Sequence, residues 1–392
     1  MQNKKRRGSL PAAIAAVLLP AVLLFWGHGL EGAALLGTGL AIPGGGIAVL
    51  LHEDEPNEPD NIAEVSAPEI STSAPEPSQA PQESSVAQTI PTANEQAKAP
   101  DSAVSAKAPN LADTPADIAA LAAKVEAAAK GSKLGAVIEG DYSKAGATNV
   151  FGSVRVKNTT ETKSVDIKAE LAKKPDIAVK NKKKPAVLIF HTHTTESYAL
   201  FERDFYTAED TGRSKDPARN MVRVGDEIAA QLEQAGYGVI HDTTIHDTSY
   251  NGSYSRSAVS IRKHLDEHPE IQVILDIHRD AIHTGNSRQK PVAKINGKKA
   301  AQLMIVTGAE EGTITNFANW KSNLTFALHL QKAIVDSYPG LARPVFFCQR
   351  VYNMDMGKNN LLVEVGTDAN TLDEAAYSGR LLGRALAAVI GG

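Results

Sequence analysis

The chain has 392 residues, 42% of them hydrophobic and 22% charged, so it can bury the core of one or two domains and is not a wholly disordered protein. A formal net charge of −4, with no concentrated basic stripe interleaved with aromatics, argues against nucleic acid as a partner. The single cysteine, Cys348, excludes an internal disulfide and a thiolate metal site, and beside Val345, Phe346 and Phe347 it reads as a buried, unreactive thiol.

Lys4, Lys5, Arg6 and Arg7 precede the apolar run "SLPAAIAAVLLPAVLLFWGHGL", which carries Trp26 near its far end. Basic residues on one flank, a core of spanning length and an interfacial aromatic predict an uncleaved membrane anchor over residues 1–30. The chain is then a single-pass protein of the cell membrane with its remainder on the extracytoplasmic side. Residues 53–114 are rich in Pro, Ala, Ser, Glu and Gln and poor in large apolar side chains. Such a stretch cannot offset its ordering entropy by burial, and a disordered, semi-extended tether is expected. Residues 115–184 hold a helical pattern at "ADIAALAAKVEAAAKG" and an alternating stretch, "GSVRVKNTTETKSVDIKAEL", that fits a β element in either a docking surface or a linker.

From residue 185 to 392, strand-like and helix-like periods alternate, which predicts an α/β domain with a mostly parallel central sheet flanked by helices. "AVLIF" reads as a strand covered on both faces. Met221, Val224, Ile228 and Leu232 recur at helical spacing up to Gly236, a C′ glycine. "YGVI" and "IQVILDI" follow as strands around a helix marked by Ala258, Ile261 and Leu265; "AQLMIVTG", "PVFFC" and "LLVEV" are further strands. A helix through Leu324, Ala327, Leu330 and Ile334 separates the first two of these, and Trp320 at its start reads as a lid over the core. The last helix opens on Thr371 and Glu374 in capping-box spacing.

Chemistry gathers where these strands end. His193 and Glu196 form an H-x-x-E pair behind the first strand of the domain, and His278 closes "VILDIH". Ends of parallel strands open on one edge of a sheet, where ligands bind. Two imidazoles and one carboxylate leave a tetrahedral zinc with an open position, the arrangement of a hydrolytic rather than a structural site. Glu364, inside "LLVEVG", is costly if charged and unpartnered there. A salt bridge to Arg350 or Arg279 would explain it, as would service as the general base that moves a proton from attacking water to a leaving nitrogen. His191 shares the side of His193 if strand alternation continues, and is then placed to orient metal or substrate. Arg279 and Asp280 are candidates to meet an acidic substrate or fix the tautomer of His278, against a plain solvated ion pair.

"FHTHTTESY", "LDIHRD" and "LLVEVGTDANTLDEA" in this order resemble the stage II sporulation protein P family, a membrane-anchored peptidoglycan hydrolase family related to the zinc-dependent N-acetylmuramoyl-L-alanine amidases. The likeness runs from about Pro185 to Gly392. It implies an amidase-type α/β fold, a zinc ion, and cleavage of the bond between muramic acid and the first stem alanine in engulfment during sporulation. It further implies endopeptidase action on cross-linked stems, peptidoglycan as substrate, and a lytic transglycosylase and a membrane partner of the engulfment machinery. By resemblance His193 and His278 are metal ligands and Glu364 the catalytic residue. Related amidases carry their carboxylate ligand at the start of the first helix, where "KDPARN" offers Asp216 but no glutamate; Glu196 takes that place here, with the H-x-x-E spacing of zinc carboxypeptidases. Two other functions fit the same residues: a zinc carboxypeptidase or endopeptidase on stem peptides alone, and a non-catalytic wall-binding protein.

Overall fold

A computed structural model describes residues 110–392. Before the "AVLIF" strand come α1 (Ala116–Ala128), β1 (Gly135–Gly140), β2 (Asn149–Phe151), β3 (Val154–Asn158) and a short α2 (Ile167–Leu171). That strand is β4 (Pro185–Phe190), followed by β5 (Phe205–Tyr206), α3 (Met221–Gln234), β6 (Gly238–His241), α4 (Ser253–Glu267) and β7 (Val273–Asp280). The chain then adds β8 (His283–Thr284), β9 (Ser287–Ile295), β10 (Lys298–Ala301), β11 (Leu303–Gly308), α5 (Trp320–Ser337), β12 (Val345–Cys348), β13 (Asn360–Thr367) and α6 (Leu372–Gly391).

The main sheet has the order β2-β3-β12-β11-β13-β7-β4-β6. Its pairings are parallel except at β2/β3 and β11/β13, so the mixed α/β architecture with a mostly parallel sheet is present. β4, β7, β11 and β12 are buried on both faces, as their continuous apolar runs require. Val187, Ile189, Leu275, Ile277, Val363 and Val365 face α3, α5 and α6, while Leu188, Phe190 and Ile274 pack on Ile261 of α4. The helices begin and end where local chemistry directs: the Asn220 side chain accepts the amide of Val222 at the start of α3, Gly236 follows that helix at φ +88°, and Thr371 and Glu374 form the capping box of α6. Trp320 stacks on Phe347 at 5.8 Å between ring centroids, and Cys348 is buried, its thiol pushed up to about 12 by desolvation.

Two expectations change. The folded unit begins well before residue 185: β3 runs parallel beside β12, with Val154 and Val156 buried, and α2 carries buried Ile167. Residues 115–184 therefore build the sheet and its cover rather than link to it. Residues 110–114, the end of the expected tether, lie on α6, where Arg380 donates to the carbonyls of Leu111 and Asp113 at 2.8 and 3.0 Å. The expected anchor and the rest of the tether lie outside the described residues; among the described helices none is long and apolar enough to cross a membrane.

A second sheet, β10-β9-β1-β5 with β8 on β9, was not legible from periodicity. β5, β8 and β10 are short, and lysines interrupt the apolar alternation of β9 and β10. Asp368, just past β13, ties it to the main sheet by accepting from His283 at 3.0 Å, pairing with Arg288 at 3.3 Å, and donating its amide to the Asp280 carbonyl. Burial pushes the Asp368 carboxyl up, but the His283 hydrogen bond and the charges of Arg279 and Arg288 outweigh it and hold the group below the usual carboxylate range.

Because the folded pKa of Asp368 is depressed, its contribution is complete above the ordinary value of about 3.8 and is lost as pH falls through the folded value. Asp368→Asn is expected to lower stability at neutral pH and to flatten the stability–pH curve on the acid side, measured by denaturant unfolding across pH. At Gly225 of α3 an added Cβ would collide with His241 Nε2 and stand 2.8 Å from His191 Nε2. Gly225→Ala should cost about 1–3 kcal/mol by overpacking, and less in a His241→Ala background, as a double-mutant cycle would show.

Candidate metal and catalytic site

β4 ends at Phe190, and the chain turns at once. Thr192 donates its amide to Asp276 Oδ1 at 2.8 Å, the Thr194 hydroxyl to the His191 carbonyl at 2.8 Å, and the Glu196 amide to the His193 carbonyl at 3.0 Å. This turn separates the two histidines. His191 continues the alternation and faces α3, donating from Nδ1 to the Ile277 carbonyl at 2.8 Å and placing Nε2 2.9 Å from Nε2 of His241. It is fully buried, and desolvation lowers its pKa to about 3. His191 and His193 thus do not share a side, and His191 has no face for substrate: it is a neutral strut between sheet and helix.

His193 swings to the opposite side and meets His278 of β7 edge to face, with ring centroids 5.3 Å apart. Tyr250 stacks flat on His193 at 4.8 Å, and Tyr254 of α4 meets its edge at 5.7 Å. Glu196 is wholly buried: Oε2 accepts the amide of Arg279 at 3.1 Å and lies 3.6 Å from His278 Nδ1, while Arg213 stands 3.6 Å from Oε1. Glu364 of β13 is in register with His278 on one side and Met304 on the other, and is half-buried. Partners in register on neighbouring strands present side chains to the same face, so Glu364 and His278 open on one side of the sheet.

The two imidazoles have opposite electrostatic settings. Burial lowers His193 to about 4, against the pull of Glu196. Burial also opposes a charge on His278, but Asp276, whose Oδ1 stands 2.8 Å from Nε2, and the more distant Glu196 and Glu364 prevail and raise it to about 9. His193 is therefore a neutral nitrogen donor, and His278 sits where the surrounding carboxylates favour a cation. Metal ligands must shed their protons, and a divalent ion can replace the proton held here. Two imidazoles and a carboxylate suit zinc by donor type, so the residues fit that ion.

The remaining candidates have other duties. Arg279 is buried and donates to the carbonyls of Ser197 at 3.3 Å, Asp280 at 3.3 Å and Gly212 at 2.7 Å, clasping two loops to the end of β7. Asp280 is buried against Arg343 at 2.8 Å. Neither is placed to meet substrate directly, and the carboxylate that reaches the His278 ring belongs to Asp276 instead. Asp216 is about half exposed and paired with Arg219 at 3.1 Å. Sequence reasoning passed over Asp276, Tyr250 and Arg213. Asp276 had a signal, since residues two apart on a strand share a face; Tyr250 and Arg213 lie on loops with none. Elsewhere, Glu139, Glu202 and Glu374 bring ligand oxygens within 4.8 Å of one another. The Lys290 ammonium, 1% exposed, lies 3.2, 2.7 and 2.9 Å from them, and Lys299 pairs with Glu139 and Glu202, so lysines already balance that cluster.

The stage II sporulation protein P of Bacillus subtilis (strain 168) is 28% identical over 239 residues, an alignment covering 58% of this chain and 56% of that protein. The chain thus spans about half the length of this relative. Among solved structures, the N-acetylmuramoyl-L-alanine amidase AmiC2 of Nostoc punctiforme is 16% identical with a TM-score of 0.32, over 54% of this chain and 97% of its own. The catalytic domain of the amidase CwlV from Bacillus (Paenibacillus) polymyxa var. colistinus is 14% identical with a TM-score of 0.30, over 52% and 96%. The family model of stage II sporulation protein P matches residues 60–387, most of the sequence and nearly all of the described fold, and the chain belongs to that family.

Proposed function

We propose that the protein is a zinc-dependent peptidoglycan hydrolase that cleaves the amide between the muramic acid lactyl group and the first L-alanine of the stem, and also cuts cross-linked stems, during engulfment in sporulation. One observation carries the reading: His193, from the turn after β4, and His278, near the end of β7, come to a ring separation of 5.3 Å, and the buried Glu196 carboxylate lies 3.6 Å from His278 Nδ1 with Glu364 in register alongside. His193, Glu196 and His278 would hold the ion. Bound zinc supplies Lewis acidity to the scissile carbonyl and acidity to the attacking water.

The protein's own groups do the rest. Glu364, half-buried on the face it shares with His278, takes a proton from the attacking water on its carboxylate and delivers it to the leaving nitrogen. The carbon–nitrogen bond breaks, leaving a carboxylic acid on the lactyl group and a free amine on L-alanine. Arg213 and the Arg279 amide hold the Glu196 carboxylate in place, and Tyr250 and Tyr254 wall His193 from water. The apolar run at residues 9–30 would anchor the chain, with the domain outside the membrane and working beside a lytic transglycosylase and a membrane partner.

The full-length chain loaded with zinc is expected to release stem peptides with free N-terminal alanine from purified sacculi and to leave peptide-free glycan, read by mass spectrometry. Intact muropeptides would refute the amidase activity, and products cut only within stems would assign an endopeptidase instead. Glu364→Gln should lower turnover by at least about a hundredfold while zinc content stays unchanged; full activity in that variant would move the general base elsewhere.

A further inference from the structure

We infer that Asp276 is a positioning residue that sets both histidines of the site at once, aiming the ring of His278 and pinning the turn that delivers His193. The inference rests on the zinc reading above. Asp276 lies on β7 two residues before His278, so their side chains share a face, and it is 1% exposed. It stands opposite Phe190, the last residue of β4, where the pairing of that strand with β7 ends. Its carboxylate takes over: Oδ1 accepts the Thr192 amide at 2.8 Å and Oδ2 the Thr192 hydroxyl at 2.7 Å. Thr192 is the residue between the two histidines, so these bonds fix where His191 and His193 part.

Oδ1 also stands 2.8 Å from His278 Nε2. With Nε2 turned to Asp276, the nitrogen that faces Glu196 is Nδ1, 3.6 Å away. A carboxylate behind a ligating imidazole fixes the ring's orientation and tautomer and raises its basicity. The assembly is backed from α4, where Ser257 Oγ lies 2.8 Å from the Thr192 hydroxyl and accepts from Asn353 Nδ2 at 3.1 Å. One buried carboxylate thereby links the two strand ends from which the site is built.

The test compares zinc affinity of the full-length chain, by chelator competition, with that of Asp276→Asn, Asp276→Glu and Thr192→Val. Asparagine keeps an oxygen for the Thr192 amide but loses the charge behind His278, and zinc binding should weaken about 10–100-fold. The visible absorption of the cobalt(II)-substituted protein should shift with it. Asp276→Glu keeps the charge but moves it by one methylene; it should weaken binding in the same direction and serves if the asparagine variant does not fold. Thr192→Val removes the hydroxyl leg of the turn but keeps the amide bond and the charge behind His278, and should weaken binding by less than Asp276→Asn does. Wild-type affinity with an unaltered cobalt spectrum in the Asp276 variants would reduce the residue to turn structure and overturn the inference alone. A wild-type chain that takes up no zinc overturns the zinc reading and this inference with it.

Discussion

The site exists because β4, β7 and β13 run parallel and side by side. Three strands with one direction open their C-terminal ends on one edge, so side chains distant in sequence arrive together without any long loop to carry them. That edge is also where a buried carboxylate must be balanced. Glu196 is fully buried, and an uncompensated charge there would cost several kcal/mol. Arg213, the Arg279 amide and His278 supply the positive side of that balance. The donor geometry and the local stability are therefore one electrostatic arrangement.

The turn after Phe190 decides which histidine belongs to it. Continued alternation would have sent His191 and His193 to the same side. Asp276 and the local hydrogen bonds of Thr194 and Glu196 reverse the chain within a few residues. One imidazole becomes a buried strut to His241 under Gly225, and the other joins the site. Identical side chains two positions apart acquire unrelated roles from a change of backbone direction.

The small sheet bears on the site as well. Between Glu196 and Arg213 the chain runs through β5, whose antiparallel partner is β1, with Gly135 opposite Tyr206. Arg279 then grips the carbonyl of Gly212, next to Arg213. Arg213 in turn meets Asp247 at 2.7 Å and the Tyr250 ring at 5.8 Å. The cover over His193 is thus held by a strand that precedes residue 185, which is why a catalytic unit drawn from the strongest periodicity alone begins too late.

By itself, the sequence determined what short-range patterns can encode. Continuous apolar runs gave the buried strands, helical spacing with caps gave α3 and α6, and polar residues in or directly behind apolar runs singled out His193, His278 and Glu364, of which His278 and Glu364 lie within β7 and β13. Tertiary structure alone decided the rest. The second sheet forms between segments more than a hundred residues apart, β1 with β9, and neither has a strong enough period to announce itself. Whether Arg279 and Asp280 meet substrate or buried partners depended on Gly212 and Arg343, remote in the chain. The parting of the two histidines turned on a carboxylate 84 positions from Thr192, because hydrogen bonds and charges act through space and the linear order of residues does not record which of them will meet.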